Sequence, residues 1–374
     1  MASAHYNLFR FLRDEGFTAK LFTHEDRRVP PDDDPDIVRV LPIRAVAAAT
    51  RQAIALWFRL SEPGTSAYQV NDVLEWTSAA PGLRSAVRAF APDVIVVPDR
   101  GLPLLWLEVP AGCRVIQVEH HNPARFLSPL VIAATPSRSD VSVAVRLGQR
   151  ALAKAQIVVC PSRYMVDELE RTFQFSGRVE VIPHVLDPAA FVGVRARSAA
   201  VELGLPATTP VMYLPAGGSS VKGERYVLPL IESLLAVHPE VAFFLSGTLS
   251  GVLRAELEAA GVGNRVYAPG PLAWQDNLAL VAGCRVGLAP SLAENLSMAI
   301  LEALQLGVPV AAFDVGGNRD LIDETCGALV PFLDLPRLAS AALELLEQPP
   351  ADGARERARV IHDTARSRWL ELLR

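Results

Sequence analysis

Two glutamates, Glu294 and Glu302, stand eight residues apart around the predicted start of a helix. An apolar strand is predicted over 285–290, and 299–306 has the pattern of a helix, with Ser297 suited to its N-cap. At the helical rise, eight residues span roughly 12 Å, about the distance from a sugar to a ribose across a diphosphate. Helix N-termini donate N–H groups to phosphate, and carboxylates accept hydrogen bonds from hydroxyls. The spacing therefore favours a ligand that carries both phosphate and hydroxyl groups.

This stretch, 290–304, resembles the E-x7-E signature of glycosyltransferase family 4, whose members are retaining enzymes of the GT-B fold. The similarity continues through 306–322, where Pro-Val-Ala-Ala precedes Gly-Gly and an acidic residue stands before Ile322. The Glu-Asn-Leu-Ser variant resembles members that build bacterial exopolysaccharides and capsules. The alternative is an ordinary strand–helix–strand unit with surface glutamates. We prefer the family because several motifs agree in order.

The resemblance implies roles for these residues. Glu302 is expected to bind the ribose hydroxyls of a nucleotide donor, and Glu294 the hydroxyls of the donor sugar. The backbone amides around 296–298 are expected to meet the diphosphate. The predicted donor site comprises Gly217, Gly218, Lys222, Glu294, Asn295, Leu296, Ser297, Met298 and Glu302.

A glycine-rich turn, 214–223, lies between a predicted strand and a predicted helix. Such a turn lets the backbone approach phosphate, although a plain turn has the same composition. Lys222 and Gly223 match the family's Lys-Gly pair, in which the lysine neutralises the diphosphate. The family's arginine, five residues earlier, is Gly217 here. The replacement cation or donor is expected among Arg225 and the hydroxyls of Ser219 and Ser220.

Two histidines, His120 and His121, end an apolar strand, where open α/β sheets bind ligands. In the family a His or Asp near this position lies under the donor sugar; for either histidine the alternative is a buried structural role. Asn122 and Arg125 follow in the same loop and are the predicted acceptor-side residues. The predicted catalytic set is His120, His121, Glu294 and Lys222.

The composition limits the kinds of protein. Half of the 374 residues are apolar, as expected for parallel sheets buried on both faces, and the net charge of −5 does not favour nucleic-acid binding. The four cysteines are widely separated without metal-ligand spacing, which favours buried thiols in a reducing cytoplasm. There is no apolar run long enough for a transmembrane helix and no signal-peptide pattern. Two apolar segments, 127–134 and 141–147, either touch a membrane or a lipid-linked acceptor, or pack as loop and core helix.

Strands and helices alternate along the chain, which predicts an α/β fold of two Rossmann-like, doubly wound parallel-sheet domains. The resemblance implies that the domains face a cleft, as in GT-B. The expected domains are 1–192 on the acceptor side, 193–350 on the nucleotide-sugar side, and a helix over 351–374 that crosses back to the first domain or lies on the surface. Strands are predicted near 17–23, 37–42, 93–98, 114–120, 156–161, 180–183, 211–215, 241–246, 265–268, 285–289, 308–313 and 328–331.

The chain begins within a predicted helix, whereas family members begin with a strand and a glycine-rich loop. The first strand of a doubly wound sheet is central. One hypothesis is that Met1 is an internal methionine and that the first strand is missing. The alternative is that the strands predicted near residues 17 and 93 close up and pair directly.

The expected function is transfer of a hexose from a UDP- or GDP-sugar to a hydroxyl acceptor, with retention and without a metal or other cofactor. The expected setting is bacterial polysaccharide or glycoconjugate synthesis, in the cytoplasm or at the inner face of the membrane. The expected partners are the nucleotide sugar and a sugar or lipid-linked acceptor, with peripheral membrane contact and no nucleic acid. The alternatives are a nucleotide-sugar epimerase and a nucleotide-sugar-binding protein with weak or no catalysis.

Overall fold

Alternating strands and helices build two units in the computed structural model, which describes residues 2–24, 34–63, 65, 68–121, 123–124, 137–215, 220–350 and 352–374. Unit 1 comprises Met1–Val185 and Arg368–Arg374, and unit 2 comprises Leu186–Ser367. Each of the twelve predicted strands overlaps a strand of the described chain.

Unit 1 carries a parallel sheet of four strands in the order β3–β4–β5–β6 and a separate parallel pair, β1–β2. The apolar strand β5 is buried at all four residues, which is typical of a parallel sheet covered on both faces. In chain order the elements are α1 Ala2–Asp14, β1 Leu21–His24, β2 Ile37–Val40, α2 Arg44–Ser61, α3 Tyr68–Val73, α4 Ala80–Phe90, β3 Val94–Pro98, β4 Arg114–Val118, α5 Arg138–Leu152, β5 Ile157–Cys160, α6 Arg163–Thr172 and β6 Arg178–Val181.

The sheet of unit 1 is interrupted. Among the described residues, β1 pairs with β2 and β3 pairs with β4, and β1 does not pair with β3. A groove lies here, and its lining includes Leu21 of β1 and Val94 and Val96 of β3. The expectation that these neighbours close up and pair directly is therefore wrong.

Unit 2 carries a six-stranded parallel sheet in the order β12–β11–β10–β7–β8–β9. Its elements are α7 Ala199–Glu202, β7 Val211–Leu214, α8 Val227–Val237, β8 Ala242–Leu245, α9 Gly251–Ala259, β9 Val266–Tyr267, α10 Trp274–Ala282, β10 Val286–Ala289, α11 Met298–Gln305, β11 Val310–Phe313, α12 Asn318–Leu321, β12 Gly327–Val330, α13 Leu335–Glu347 and α14 Gly353–Leu373. The doubly wound parallel architecture is confirmed.

The side chains of each strand in unit 2 alternate between the two faces of the sheet, so its hydrophobic core has two layers. Tyr213 of β7 packs in one layer with residues of α10 and α11, whereas Met212 and Leu214 pack in the other with residues of α8 and α13. Successive side chains of a strand point to opposite faces, so an all-apolar strand needs helices on both. The four cysteines are free and buried, as the sequence predicts.

The end of α14 belongs to unit 1. Arg114 of β4 donates to the carbonyl oxygens of Leu372 at 3.2 Å and Leu373 at 2.9 Å, and Arg368 pairs with Glu180. Trp369 is only 3% exposed. Within the described ranges, no helix is both long and apolar enough to cross a membrane.

Candidate active site

The order of the strands in unit 2 fixes where a ligand can enter. Strands β7 and β10 are neighbours at the centre of the sheet. The strands that follow β7 in the chain, β8 and β9, lie on one side of this pair, and those that follow β10, β11 and β12, lie on the other. The loops that follow these two strands therefore separate at the carboxyl edge and leave a crevice, where open α/β sheets bind ligands. Lys222 lies in the loop after β7, and Glu294 in the loop after β10.

Lys222 and Glu294 are in contact at this crevice. Glu294 Oε1 accepts from Lys222 Nζ at 2.5 Å and from Ser291 Oγ at 2.8 Å. The Glu294 side chain is 6% exposed, whereas that of Lys222 is 34% exposed. A buried carboxylate is therefore held beside a cation that still reaches solvent, a combination that can bind both hydroxyl and phosphate groups.

Two glycines hold the loops of this site together. A Cβ on Gly223 would lie 2.0 Å from the carbonyl oxygen of Pro290, and one on Gly316 would lie 1.7 Å from that of Glu294. Both glycines have positive φ, +82° and +56°, which L side chains rarely adopt. Gly317 N donates to the same Glu294 carbonyl at 3.2 Å. The backbone around Glu294 is thus fixed by the loops after β7 and β11.

The second signature carboxylate lies within α11. Glu302 Oε1 accepts from Nε1 of Trp274, the first residue of α10, at 3.1 Å. Burial raises the pKa of Glu302 to about 7, against the opposing effect of the Trp274 hydrogen bond. Glu302 therefore changes charge near neutral pH.

The segment between the two glutamates forms the start of α11. Ser297 occupies the N-cap position, but its side chain makes no capping hydrogen bond. The first N–H groups of a helix have no partner within it, and they suit an anion. Leu296 and Ser297 are buried, while Asn295 and Met298 are partly exposed. Gly217, Gly218 and Ser219 lie outside the described residues.

Arg225 is one of the residues expected to replace the family's arginine. Its guanidinium lies 5.6 Å from the centre of the Tyr226 ring, a cation–π contact. Ser220 begins a short helical turn that ends at Lys222. The role of either residue stays a prediction.

In unit 1 the two predicted histidines have different surroundings. His120 is buried, with its Nε2 3.0 Å from Nε2 of His5 and its ring stacked on His184 at 5.1 Å between centroids. Burial lowers the pKa of His5 to about 4 and that of His184 to about 3, and it holds the pKa of His120 well below its usual range. The three imidazoles are therefore neutral at pH 7. This arrangement is the one expected of buried structural histidines.

His121 instead joins a polar cluster that the sequence analysis missed. Its Nε2 lies 2.8 Å from Gln69 Oε1, and its backbone N donates to Asp99 Oδ2 at 2.5 Å. Gln69, Asp99, Glu119 and His121 line one small pocket. The contact is a hydrogen bond from His121 Nε2–H to the Gln69 oxygen in one tautomer and from the Gln69 amide to Nε2 in the other.

Asp99 and Glu119 are buried carboxyl groups that directly follow two neighbouring strands, β3 and β4. Burial raises the pKa of Asp99 to about 7; burial and then the charge of Asp99 raise the pKa of Glu119 well above its usual range. Two such groups at one edge hold a proton at neutral pH. The signal in the sequence is their position: each directly follows a strand, β3 or β4.

The remaining acceptor-side predictions, Asn122 and Arg125, lie outside the described residues, as does the apolar segment 127–134. The other apolar segment, 141–147, falls within α5, where Val141 and Ala144 are buried. Ala144 packs in the core of unit 1 against the face of the sheet. The core-helix interpretation therefore holds for these two side chains, and the membrane interpretation does not.

Comparison with known proteins adds to this geometry. Residues 2–190 match the family described as Glycosyltransferase Family 4, and residues 214–348 match the one described as Glycosyl transferases group 1. A mannosyltransferase of Corynebacterium glutamicum, named as dependent on GDP-mannose and acting on monoacylated alpha-(1-6)-phosphatidylinositol monomannoside, is 26% identical over 214 residues, 53% of this chain and 56% of that protein. The matches span less than two thirds of the length of each curated relative.

Solved structures share the fold. Sucrose-phosphate synthase from Thermosynechococcus elongatus aligns with a TM-score of 0.75 at 18% identity, covering 98% of this chain and 90% of that one. The Anabaena protein HepE, solved with UDP and glucose, aligns with a TM-score of 0.66 at 18% identity, covering 99% and 95%. At these identities the likeness concerns the fold alone.

Proposed function

The chain belongs to glycosyltransferase family 4 with the GT-B fold, and we propose that it transfers a hexose from a nucleoside diphosphate sugar to a hydroxyl group. The observation that carries this proposal is the Lys222–Glu294 pair at the crevice between β7 and β10. A nucleoside diphosphate sugar has an anion beside a hydroxyl-bearing ring, and this pair presents a cation beside a carboxylate.

Each residue has a role in this proposal. As the glycosidic bond to phosphate breaks, negative charge builds on the diphosphate, and Lys222 and the first amides of α11 stabilise it. Glu294 accepts hydrogen bonds from the sugar hydroxyls, and Glu302 from the ribose hydroxyls. The fixed backbone around Glu294 keeps the sugar oriented, which lowers the entropic part of the barrier.

The family resemblance implies that the transfer proceeds with retention. The reaction would need no metal, because Lys222 and the amides of α11 supply the positive charge that a divalent cation would otherwise supply. The donor would be a UDP- or GDP-sugar: one relative is named for GDP-mannose, and HepE was solved with UDP and glucose. The acceptor would be a sugar or a lipid-linked sugar in polysaccharide or glycoconjugate synthesis at the cytoplasmic side of the membrane.

The first test is a thermal-shift panel of UDP, GDP, ADP and their sugar conjugates on the full chain. We expect one nucleotide class to raise the melting temperature, and Glu302→Ala to abolish that shift. Glu258→Ala, an exposed glutamate of α9, is the matched control and should keep it. If a folded sample responds to no nucleotide, the donor-site assignment is wrong.

The second test follows the sugar with the nucleotide that binds. Transfer to a panel of sugar acceptors, read by NMR of the new anomeric centre, should give the donor's anomeric configuration, with and without EDTA. Conversion of the free donor into its epimer would identify an epimerase instead. Binding without transfer or slow donor hydrolysis would identify a binding protein.

A further inference from the structure

Side chains from the carboxyl ends of three strands of unit 1 meet in one open cavity. His24 is the last residue of β1, and Pro42 and Arg100 each follow a strand, β2 and β3, by two residues. The carboxyl edge of an open α/β sheet is where ligands bind. The cavity therefore lies where a ligand is expected, and the sequence analysis assigned none of these residues to a site.

Part of the wall of this cavity is one face of α2. Thr50 and Arg51 line it one helical turn after Ala47 and one turn before Ile54, which line it as well. Residues three and four positions apart share a face of a helix. Ile54 is buried, Thr50 is half-buried and Arg51 is exposed. This face therefore offers an apolar side chain, a hydroxyl and a guanidinium to the same space.

The charge of the cavity is positive. Two arginines, Arg51 and Arg100, line it, and its lining in the described part of the chain contains no aspartate or glutamate, although the whole protein has a net charge of −5. Arg51 is exposed and forms no ion pair with a described side chain. A concave surface with charge of one sign concentrates ions of the opposite sign. The cavity therefore attracts an anion.

His24 provides an observation that is independent of charge. Its Nε2 is buried and has no hydrogen-bond partner among the described residues, and its ring meets the Trp76 ring edge-on at 5.6 Å between centroids. Buried polar atoms normally have a partner, because a buried donor or acceptor without one costs free energy. An oxygen of a ligand in the cavity would supply that partner.

The number of donors indicates which anion fits. The cavity offers the guanidinium groups of Arg51 and Arg100, the imidazole of His24 and the hydroxyls of Thr50 and Ser78. A phosphate monoester presents three acceptor oxygens and pairs with arginine through two parallel hydrogen bonds, whereas a carboxylate has only two oxygens. Phosphate is therefore the anion that uses these donors most fully.

The position of Arg100 connects the cavity to the polar cluster around His121. Arg100 lines both this cavity and the pocket that contains Gln69, Asp99 and His121. A ligand anchored by its phosphate at Arg100 is thus held next to the pocket of a histidine that the sequence predicts to be catalytic.

We propose that this cavity, formed by His24, Thr50, Arg51, Ser78 and Arg100, binds the phosphate group of a phosphorylated sugar, which is the acceptor of the transfer. The role of acceptor rests on the proposed function, and the inference deepens that function by naming the charged group of the substrate. Binding is measured without a donor, so it is tested separately from transfer.

The experiment is calorimetric titration of the full chain, without nucleotide, with glucose 6-phosphate and mannose 6-phosphate, each beside its unphosphorylated sugar. We expect the phosphorylated sugars to bind at least about tenfold more tightly, and inorganic phosphate to compete with them. Arg51→Gln should weaken their binding about tenfold. Arg51→Lys should weaken it less, because lysine keeps the charge but not the two parallel hydrogen bonds.

Two control variants locate the effect. Arg59→Gln removes another exposed arginine of α2, one outside the cavity lining, and should bind the sugar phosphates like the wild-type chain. Lys222→Met removes the cation of the donor crevice, which also attracts phosphate, and should keep the binding. Because Arg51 is exposed, Arg51→Gln should leave the thermal unfolding of the protein unchanged.

A diester distinguishes two sources of the phosphate. The methyl ester of glucose 6-phosphate has the phosphodiester of a lipid-linked sugar, whereas glucose 6-phosphate has the monoester of a soluble metabolite. Tighter binding of the monoester would indicate a soluble sugar phosphate, and tighter binding of the diester a lipid-linked one. Both results support the phosphate site.

Equal affinities for the phosphorylated and the plain sugars would overturn the proposal. Binding that is undiminished in Arg51→Gln, or that is lost in Lys222→Met, would overturn it as well. If the sugar phosphates fail to bind while a nucleotide still raises the melting temperature, this inference alone is refuted. If they bind at Arg51 while no nucleotide does, the proposed transfer is refuted and the phosphate site is supported.

Discussion

Glu302 should make nucleotide affinity depend on pH. Its pKa is raised to about 7 by burial, so about one tenth of the side chains are ionised at pH 6 and about nine tenths at pH 8. If the ribose hydroxyls donate to the ionised carboxylate, the association constant follows that fraction. We therefore expect binding about tenfold tighter at pH 8 than at pH 6, a difference of about 1.4 kcal/mol.

The assay is calorimetric titration of UDP or GDP, whichever binds, at pH 6, 7 and 8, with Glu302→Gln as the matched variant. Glutamine keeps an oxygen for the Trp274 N–H and cannot ionise. The phosphates of the nucleotide also titrate in this range, but they do so equally in both proteins. The difference between the two pH profiles therefore reports Glu302 alone. Parallel profiles would refute either the raised pKa or the ribose contact.

Three further outcomes are expected. Gly223→Ala combines a left-handed φ with a Cβ 2.0 Å from the Pro290 oxygen, so it should lower the free energy of unfolding by about 3 kcal/mol in urea titrations. Gly261→Ala, at φ +70° with nothing within 4 Å, should cost only about 1 kcal/mol, and equal losses would contradict the contact. The pKa of His5 is about 4 in the folded protein, below its unfolded value of 6.5. Its contribution to the free energy of unfolding is therefore fully present above pH 6.5 and is lost as the pH falls toward 4. His5→Phe should therefore remove about 2 kcal/mol of the stability difference between pH 7.5 and pH 5, measured against the wild-type protein, and an unchanged difference would argue against a neutral buried imidazole. Lys222→Met should reduce the transfer rate at least about 100-fold, measured by release of the nucleoside diphosphate, and a rate near that of the wild type would exclude the lysine from the leaving-group site.

The fold was largely predictable because strands buried on both faces have an almost purely apolar sequence. The strand β10, Val286–Ala289, and the helix α11 after it follow from that pattern and from helix propensity. The position of Glu294 and Lys222 at one edge also follows, since both come after strands. The strands that precede Lys222 and Glu294, β7 and β10, are neighbours in the sheet. Local sequence patterns do not predict the order of strands in a sheet, so this contact could not be predicted from them.

Unit 1 shows where the sequence was insufficient. The adjacent pair His120-His121 suggests one site, yet one ring enters an imidazole cluster with His5 and His184 and the other faces Gln69. Neighbouring residues at the end of a strand point to opposite sides, so adjacency in sequence predicts separation here. The carboxyl groups of Asp99 and Glu119 were missed because their raised pKa values depend on burial, which is set by the packing of the whole unit.

The buried groups of unit 1 also determine how its stability should respond to acid. The imidazoles of His5 and His184 oppose folding as the pH falls below about 6.5, because the unfolded chain binds protons that the folded one does not. Asp99 has the opposite sign: its folded pKa of about 7 lies above the unfolded value, so acid stabilises the folded state across that interval. The measured dependence of the free energy of unfolding on pH combines these two opposing effects. If they are equal in size they cancel, and the free energy does not change with pH. Only variants that remove one set at a time can separate them.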